Sequence, residues 1–82
     1  MPKTIYLYSI YDSVAEEYGP IFEAGNDSVA LRAKKGLLKQ VDPSMLDEFH
    51  LFCVGEYEIV EGKINVKGYD IQKVVSEVVN NA

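Results

Sequence analysis

Eighty-two residues are enough for one domain and too few for two. With 48 % apolar and 26 % charged residues the chain has a globular composition, which excludes a disordered tail and predicts a thin core. A net charge of −5 excludes a protein that coats nucleic acid by bulk charge, but leaves room for one basic face.

No apolar run reaches the roughly 18 residues that span a bilayer. Met1–Thr4 leads into alternating residues and not into a signal-type apolar block. The expectation is a cytoplasmic protein with no membrane partner. Cys53 is alone, so no internal disulfide is possible. Within the apolar stretch 49–54 it reads as a small buried hydrophobe.

Residues 3–11, rich in Ile, Leu and Tyr, predict a strand. Ile5 and Leu7 point to one face, and Tyr6, Tyr8 and Ile10 to the other. Residues 12–19 have turn chemistry at both ends and predict a loop or one helical turn. Pro20–Ala24 predicts a short strand, with Pro20 restricting it to an edge or a strand start.

Asn26-Asp27-Ser28 is an N-cap cluster, and the helix it opens is expected to run to about Val41. Ala30, Ala33, Leu37 and Val41 form its expected buried stripe, with Ser28, Arg32, Lys35 and Lys39 opposite. Pro43 ends the helix, since the residue before a proline avoids helical geometry. Asp42 then caps a single-turn helix through Asp47.

Residues 49–60 predict the clearest strand. Phe49, Leu51, Cys53, Tyr57 and Ile59 are expected on one face; His50, Phe52, Val54, Glu56 and Glu58 on the other. Gly55 in its middle signals a bulge or a close backbone approach. Val60–Lys63 predicts a tight turn with Gly62 at positive φ, and residues 64–67 the returning strand. Asp70 is expected to cap a final helix over 71–80, because Ile71, Val74, Val75, Val78 and Val79 recur at helical spacing. The expected fold is α+β, in the order β-β-α-β-β-α: an antiparallel sheet of about four strands with two helices on one face.

Little in the chain points to catalysis. His50 and Cys53 are three apart on a strand, so they face opposite sides and cannot share a metal. Glu56 and Glu58 lie roughly 7 Å apart on a strand, but no nucleophile or metal partner accompanies them. Phosphate-loop, dinucleotide-binding, nucleophile-elbow and zinc patterns are absent. The expectation is no enzyme, no cofactor and no metal.

Two features suggest binding. Arg32, Lys35 and Lys39, with Lys34 to one side, form a basic stripe that reads as a solvated helix face or as a phosphate contact. Tyr6, Tyr8 and Phe52 either line a sheet face and stack on unpaired bases, or are buried under a helix or in a dimer. A thin core and surplus apolar groups predict a homodimer or small homo-oligomer. Its candidate surfaces are Tyr6, Tyr8 and Ile10 on the first strand and Val74, Val75, Val78 and Val79 on the last helix.

Three blocks also carry a family resemblance: Ser9-Ile10-Tyr11-Asp12-Ser13 with Tyr18–Ala24, then Asn26–Arg32, then Phe49–Tyr57 followed by Glu61–Ile64. They resemble the small nonstructural protein of gokushoviruses, microvirus-family phages with circular single-stranded DNA, over roughly residues 5–66. The resemblance implies a non-capsid phage protein acting in the cytoplasm of a bacterial host. It further implies single-stranded DNA binding or a switch from genome synthesis to packaging, and it supplies no catalytic residue. A different reading of the same chain is a protein-interaction module for a viral or host protein, which the acidic net charge favours.

Overall fold

The structure, a computed structural model, describes residues 3–74. Strand β1 (Thr4–Asp12) is central. One of its edges pairs antiparallel with β4 (Phe49–Val60) along its whole length. Its other edge is shared by two short strands, β2 (Glu17–Tyr18) and β3 (Phe22–Ala24). Strand β5 (Lys63–Lys73) pairs antiparallel with the outer edge of β4 and closes the sheet. Helix α1 (Asp27–Leu37) and a 3-10 helix (Pro43–Glu48) connect β3 to β4. The fold is α+β around an antiparallel sheet, as expected, but its element order departs from the predicted one at both ends.

Local chemistry explains the connections. Between β1 and β2 the Asp12 carboxylate accepts hydrogen bonds from the backbone of Val14 and Ala15. This is the turn that Asp favours by capturing backbone donors two and three residues on. Glu16, at φ 59°, then sends the chain back along β1. The stretch expected to be a loop or helical turn therefore yields a two-residue strand, and β3 continues along the same edge. In the β4–β5 hairpin, Glu61 and Gly62 both take positive φ, 51° and 80°. A two-residue turn of that kind matches the right-handed twist of its flanking strands.

Asn26 caps α1 by accepting from the Val29 amide, and Asp42 caps the 3-10 helix by accepting from Ser44, both as predicted. Helix α1 ends at Leu37, four residues short of the expected Val41. The helix packs mainly over β3 and part of β4. Beyond Leu37 the chain tightens into turns, with Lys39 donating to Gly36 and Val41 to Leu38. Leu37, expected in the buried stripe, is consequently 62 % exposed, and the packed residues are Ala30 and Leu31.

The core lies between α1 and one face of the sheet. Tyr8, Ala24, Ala30, Leu51 and Val74 are buried there, flanked by Tyr6, Ile10, Phe22, Leu31 and Cys53. Burying Leu51 alone contributes about 1.5–3 kcal/mol relative to exposure. Tyr8 carries a polar tip into this layer, and its hydroxyl donates to the Asp27 carboxylate over 2.7 Å. That bond ties the middle of the sheet to the first turn of α1. Burial, and then the bond to Asp27, push the Tyr8 phenol well above its ordinary value, so it stays neutral.

The predicted final helix is not formed over its first residues. Ile71–Lys73 belong to β5. Val74, just beyond, donates its amide to the Leu51 carbonyl. The β-branched side chains favour extended backbone, and the twelve residues of β4 offer ladder groups well past the short return strand expected from sequence. Val75, Val78 and Val79 lie outside the described residues.

A bulge in β4 also corrects the predicted faces. Tyr8 pairs with Cys53 but Leu7 pairs with Gly55, so Val54 is an extra residue. Cross-strand partners share a face. Leu51, Cys53, Glu56 and Glu58 therefore lie on the helix side, while His50, Phe52, Tyr57 and Ile59 lie on the other. Gly55 signals the bulge in the sequence, but unbroken strand alternation places residues 56–59 on the wrong faces.

Gly55 is buried, and a Cβ there would stand 2.6 Å from the Lys67 carbonyl oxygen and 3.3 Å from the Gly68 Cα. Both are backbone atoms and cannot swing aside. Gly55→Ala should lower the urea unfolding midpoint, with a loss of roughly 1–3 kcal/mol typical of overpacking. Gly36→Ala is the opposite case: the site is helical and its surroundings are open. It should raise stability by up to about 1 kcal/mol.

Candidate nucleic-acid interface

The basic residues singled out in the sequence converge. Capped by Asn26, α1 presents Ser28, Leu31, Arg32 and Lys35 along one flank at helical spacing. The turns after Leu37 fold Leu38, Lys39 and Val41 alongside, and the 3-10 helix supplies Pro43 and Leu46 from the facing side. Between them lies an open groove of about 770 Å3. Its floor is aliphatic: Leu31, Leu38, Val41, Pro43 and Leu46. Arg32, Lys34, Lys35 and Lys39 supply its positive charge.

Lys34 is half-buried on this groove. Loss of solvent, and then the like charge of Lys73, hold its ammonium below the ordinary lysine range. Lys73 was not among the predicted site residues, because the chain around it was expected to be a helix. Strand β5 instead pairs it with Phe52, at the sheet edge, and it does not line the groove.

The predicted aromatic platform does not assemble. Tyr8 is 1 % exposed and belongs to the core, and Tyr6 packs against that core on the same face. Phe52 is on the opposite face, in an aromatic cluster with Tyr11 and Tyr18 whose ring centroids lie 6.0 and 5.8 Å from its own. None of the three borders the basic groove. The physical reason is helix α1, which covers the Tyr6/Tyr8 face. Of the other residues expected at a self-association surface, Val74 is buried in the core and Ile10 is half-buried against it.

The remaining polar candidates are separate. His50 and Cys53 fall on opposite faces, as their spacing requires. Burial raises the Cys53 thiol above its ordinary value, which disfavours a reactive thiolate. Among the described residues no group of three His, Cys, Asp or Glu side chains is placed to hold a metal. A second hollow, of about 420 Å3, lies between Phe22, Phe49 and Leu38 and carries Asp12 and Glu17, the wrong sign for phosphate. Among the described residues no helix is long and apolar enough to cross a membrane.

A small sheet protein with a cationic groove on its helical side is thus defined as a class. Residues 5–80 match the model of the family described as Phage ORF5 protein, and the chain belongs to that family. It is a phage protein. Neither the curated proteins nor the solved structures contain a match to it.

Glu56, turned to the helix side by the bulge, accepts a hydrogen bond from the Tyr69 hydroxyl. That bond, followed by loss of solvent, pushes the Tyr69 phenol from 10.0 up to about 12. A phenol whose folded value is raised stabilises the fold fully below its unfolded value, and that contribution is lost as pH rises through the folded value. The window here runs from about pH 10 to about pH 12. Ultraviolet titration of Tyr69→Phe should lack one phenol near the upper end of that window. Its stability deficit relative to the wild type should shrink across the same range.

Proposed function

We propose that this phage protein is a nonstructural accessory factor that binds single-stranded DNA through the α1 groove and assists genome replication or packaging. The observation that carries the reading is the convergence of Arg32, Lys34, Lys35 and Lys39 on one groove of a chain whose net charge is −5. Local positive charge against a negative background steers a polyanion to one place and repels it elsewhere. The likeness to gokushovirus nonstructural proteins points the same way, to a phage with a single-stranded genome. The role is binding; no catalytic constellation is invoked.

In this reading the side chains contact phosphates, and bases rest on the aliphatic floor without aromatic stacking. Contacts of that kind position a strand but carry little sequence information. The protein should retard single-stranded oligonucleotides at low salt regardless of sequence, and lose them as salt rises. Each neutralised phosphate contributes roughly 0.7 to the slope of log affinity on log salt for single strands. The triple variant Arg32→Ala, Lys35→Ala, Lys39→Ala should therefore flatten that slope by about 2. All three side chains are exposed, so the variant should keep the wild-type fold. Absence of retardation at low salt and high protein concentration would refute DNA binding.

The absence of aromatic side chains from the groove favours a second reading. An aliphatic floor with a cationic rim also fits an acidic amphipathic segment of a viral or host protein. A partner that survives nuclease in a pull-down, together with no DNA retardation, selects this alternative.

A further inference from the structure

The face of the sheet turned away from α1 has no covering element among the described residues, yet its side chains are those of a core. The register assigns it row by row. Ile5, Tyr57 and Val66 stand side by side across β1, β4 and β5. Ile59 and Ile64 form the next row toward the hairpin turn. Toward the other end come the aromatic rings of Tyr11, Tyr18 and Phe52. Three of the aliphatic residues are wide open: Ile59 58 %, Ile64 63 % and Val66 68 % exposed. A contiguous apolar surface of this kind on a small protein marks an interface.

We propose that this face packs against the same face of a second copy of the chain, giving a two-fold, face-to-face sheet sandwich. Charge is the first argument for a second copy. A molecule with net charge −5 repels itself, so self-association requires a surface free of that charge. Strands β1 and β4 place no acidic residue, lysine or arginine at paired positions on this face. Glu23 sits on the outer strand β3, and its carboxylate accepts a hydrogen bond from Tyr57 over 2.8 Å. Strand β5 adds one lysine at a paired position on this face, Lys73 opposite Phe52, and a single cation disfavours a nucleic acid as the occupant.

Area is the second argument. Strand β4 has 12 residues. At about 3.3 Å per residue and about 4.8 Å between strands, the face made by β1, β4, β5 and the short β2 and β3 measures roughly 600 Å2. A stable interface of ordinary size takes about 800 Å2 from each partner, so one copy of this face is close to what a symmetric dimer needs. An isologous contact also lets each apolar row meet its own symmetry mate, with no second kind of surface required. The basic groove lies on the other side of the sheet, so both copies keep it open.

Sedimentation equilibrium of the full chain from micromolar to hundreds of micromolar tests this. The expected result is a species of twice the 9.2 kDa chain mass. Ile59→Lys with Val66→Lys places four cations in the two-fold interface, and its dissociation constant should rise by at least about 100-fold. Its far-UV circular dichroism should be unchanged. Ile64→Lys alone, on the hairpin beyond the last residue of β4 paired with β1, should weaken the dimer without reaching the core. A 9.2 kDa species across the whole range would overturn the proposal. So would folded variants that retain the dimer mass.

Discussion

The close approach of β4 to β5 at Gly55 is the constraint from which the two faces of this protein follow. A Cβ at that position would stand 2.6 Å from the Lys67 carbonyl, so only glycine lets the strands meet there. Beside it Val54 is left over from the pairing with β1. One extra residue inverts every side chain that follows, because strand side chains alternate with a period of two. Glu56 and Glu58 turn toward the helix side, where Tyr69 binds Glu56. Tyr57 and Ile59 turn away and join Ile5, Ile64 and Val66 on the open face. Without the bulge the end of the hairpin would present two carboxylates on that face in place of two apolar side chains.

On the helix side a second contact sets the geometry. Tyr8 is buried at the centre of β1 and reaches the Asp27 carboxylate with its hydroxyl. It thereby fixes the N-terminal turn of α1 above the sheet, next to the Asn26 cap. With Ala30 and Leu31 facing the sheet, the helix presents Arg32 and Lys35 outward toward the 3-10 helix. Lys34 is half-buried between these directions, and loss of solvent lowers its ammonium below the ordinary range. The groove is thus a by-product of where the helix must sit to cover Tyr8, Leu51 and Val74. Charge and shape separate cleanly: a cationic, aliphatic groove on one side of the sheet and a nearly uncharged apolar face on the other. The proposed polyanion binding and the proposed self-association would use different surfaces.

Much of this was legible in the chain itself, because the signals were local. The Asn26 and Asp42 caps, the Glu61-Gly62 turn, the alternation in β1 and the special role of Gly55 each depend on a few neighbouring residues, and each is found where the sequence put it. The basic stripe was legible for the same reason, since Arg32, Lys35 and Lys39 recur at helical spacing. Local signals also misled. Ile71 and Val74 have helical spacing, but β4 supplied a ladder partner and the chain stayed extended. The helical stripe through Leu37 assumed sheet beneath it that α1 does not reach.

Composition, charge and local pattern by themselves determined a small α+β protein with an antiparallel sheet, a capped helix and a concentration of positive charge on that helix. Family membership is a property of the residues too, since the family model matches them over 5–80. Tertiary structure alone decided which apolar residues are core and which are surface. Tyr6, Tyr8 and Phe52 look equivalent in sequence, yet α1 covers two of them and leaves the third among Tyr11 and Tyr18 on the open face. The reason is geometric. Alternation assigns side chains to two faces, but which face a helix covers depends on long-range packing, and where a bulge reverses the alternation depends on the neighbouring strands.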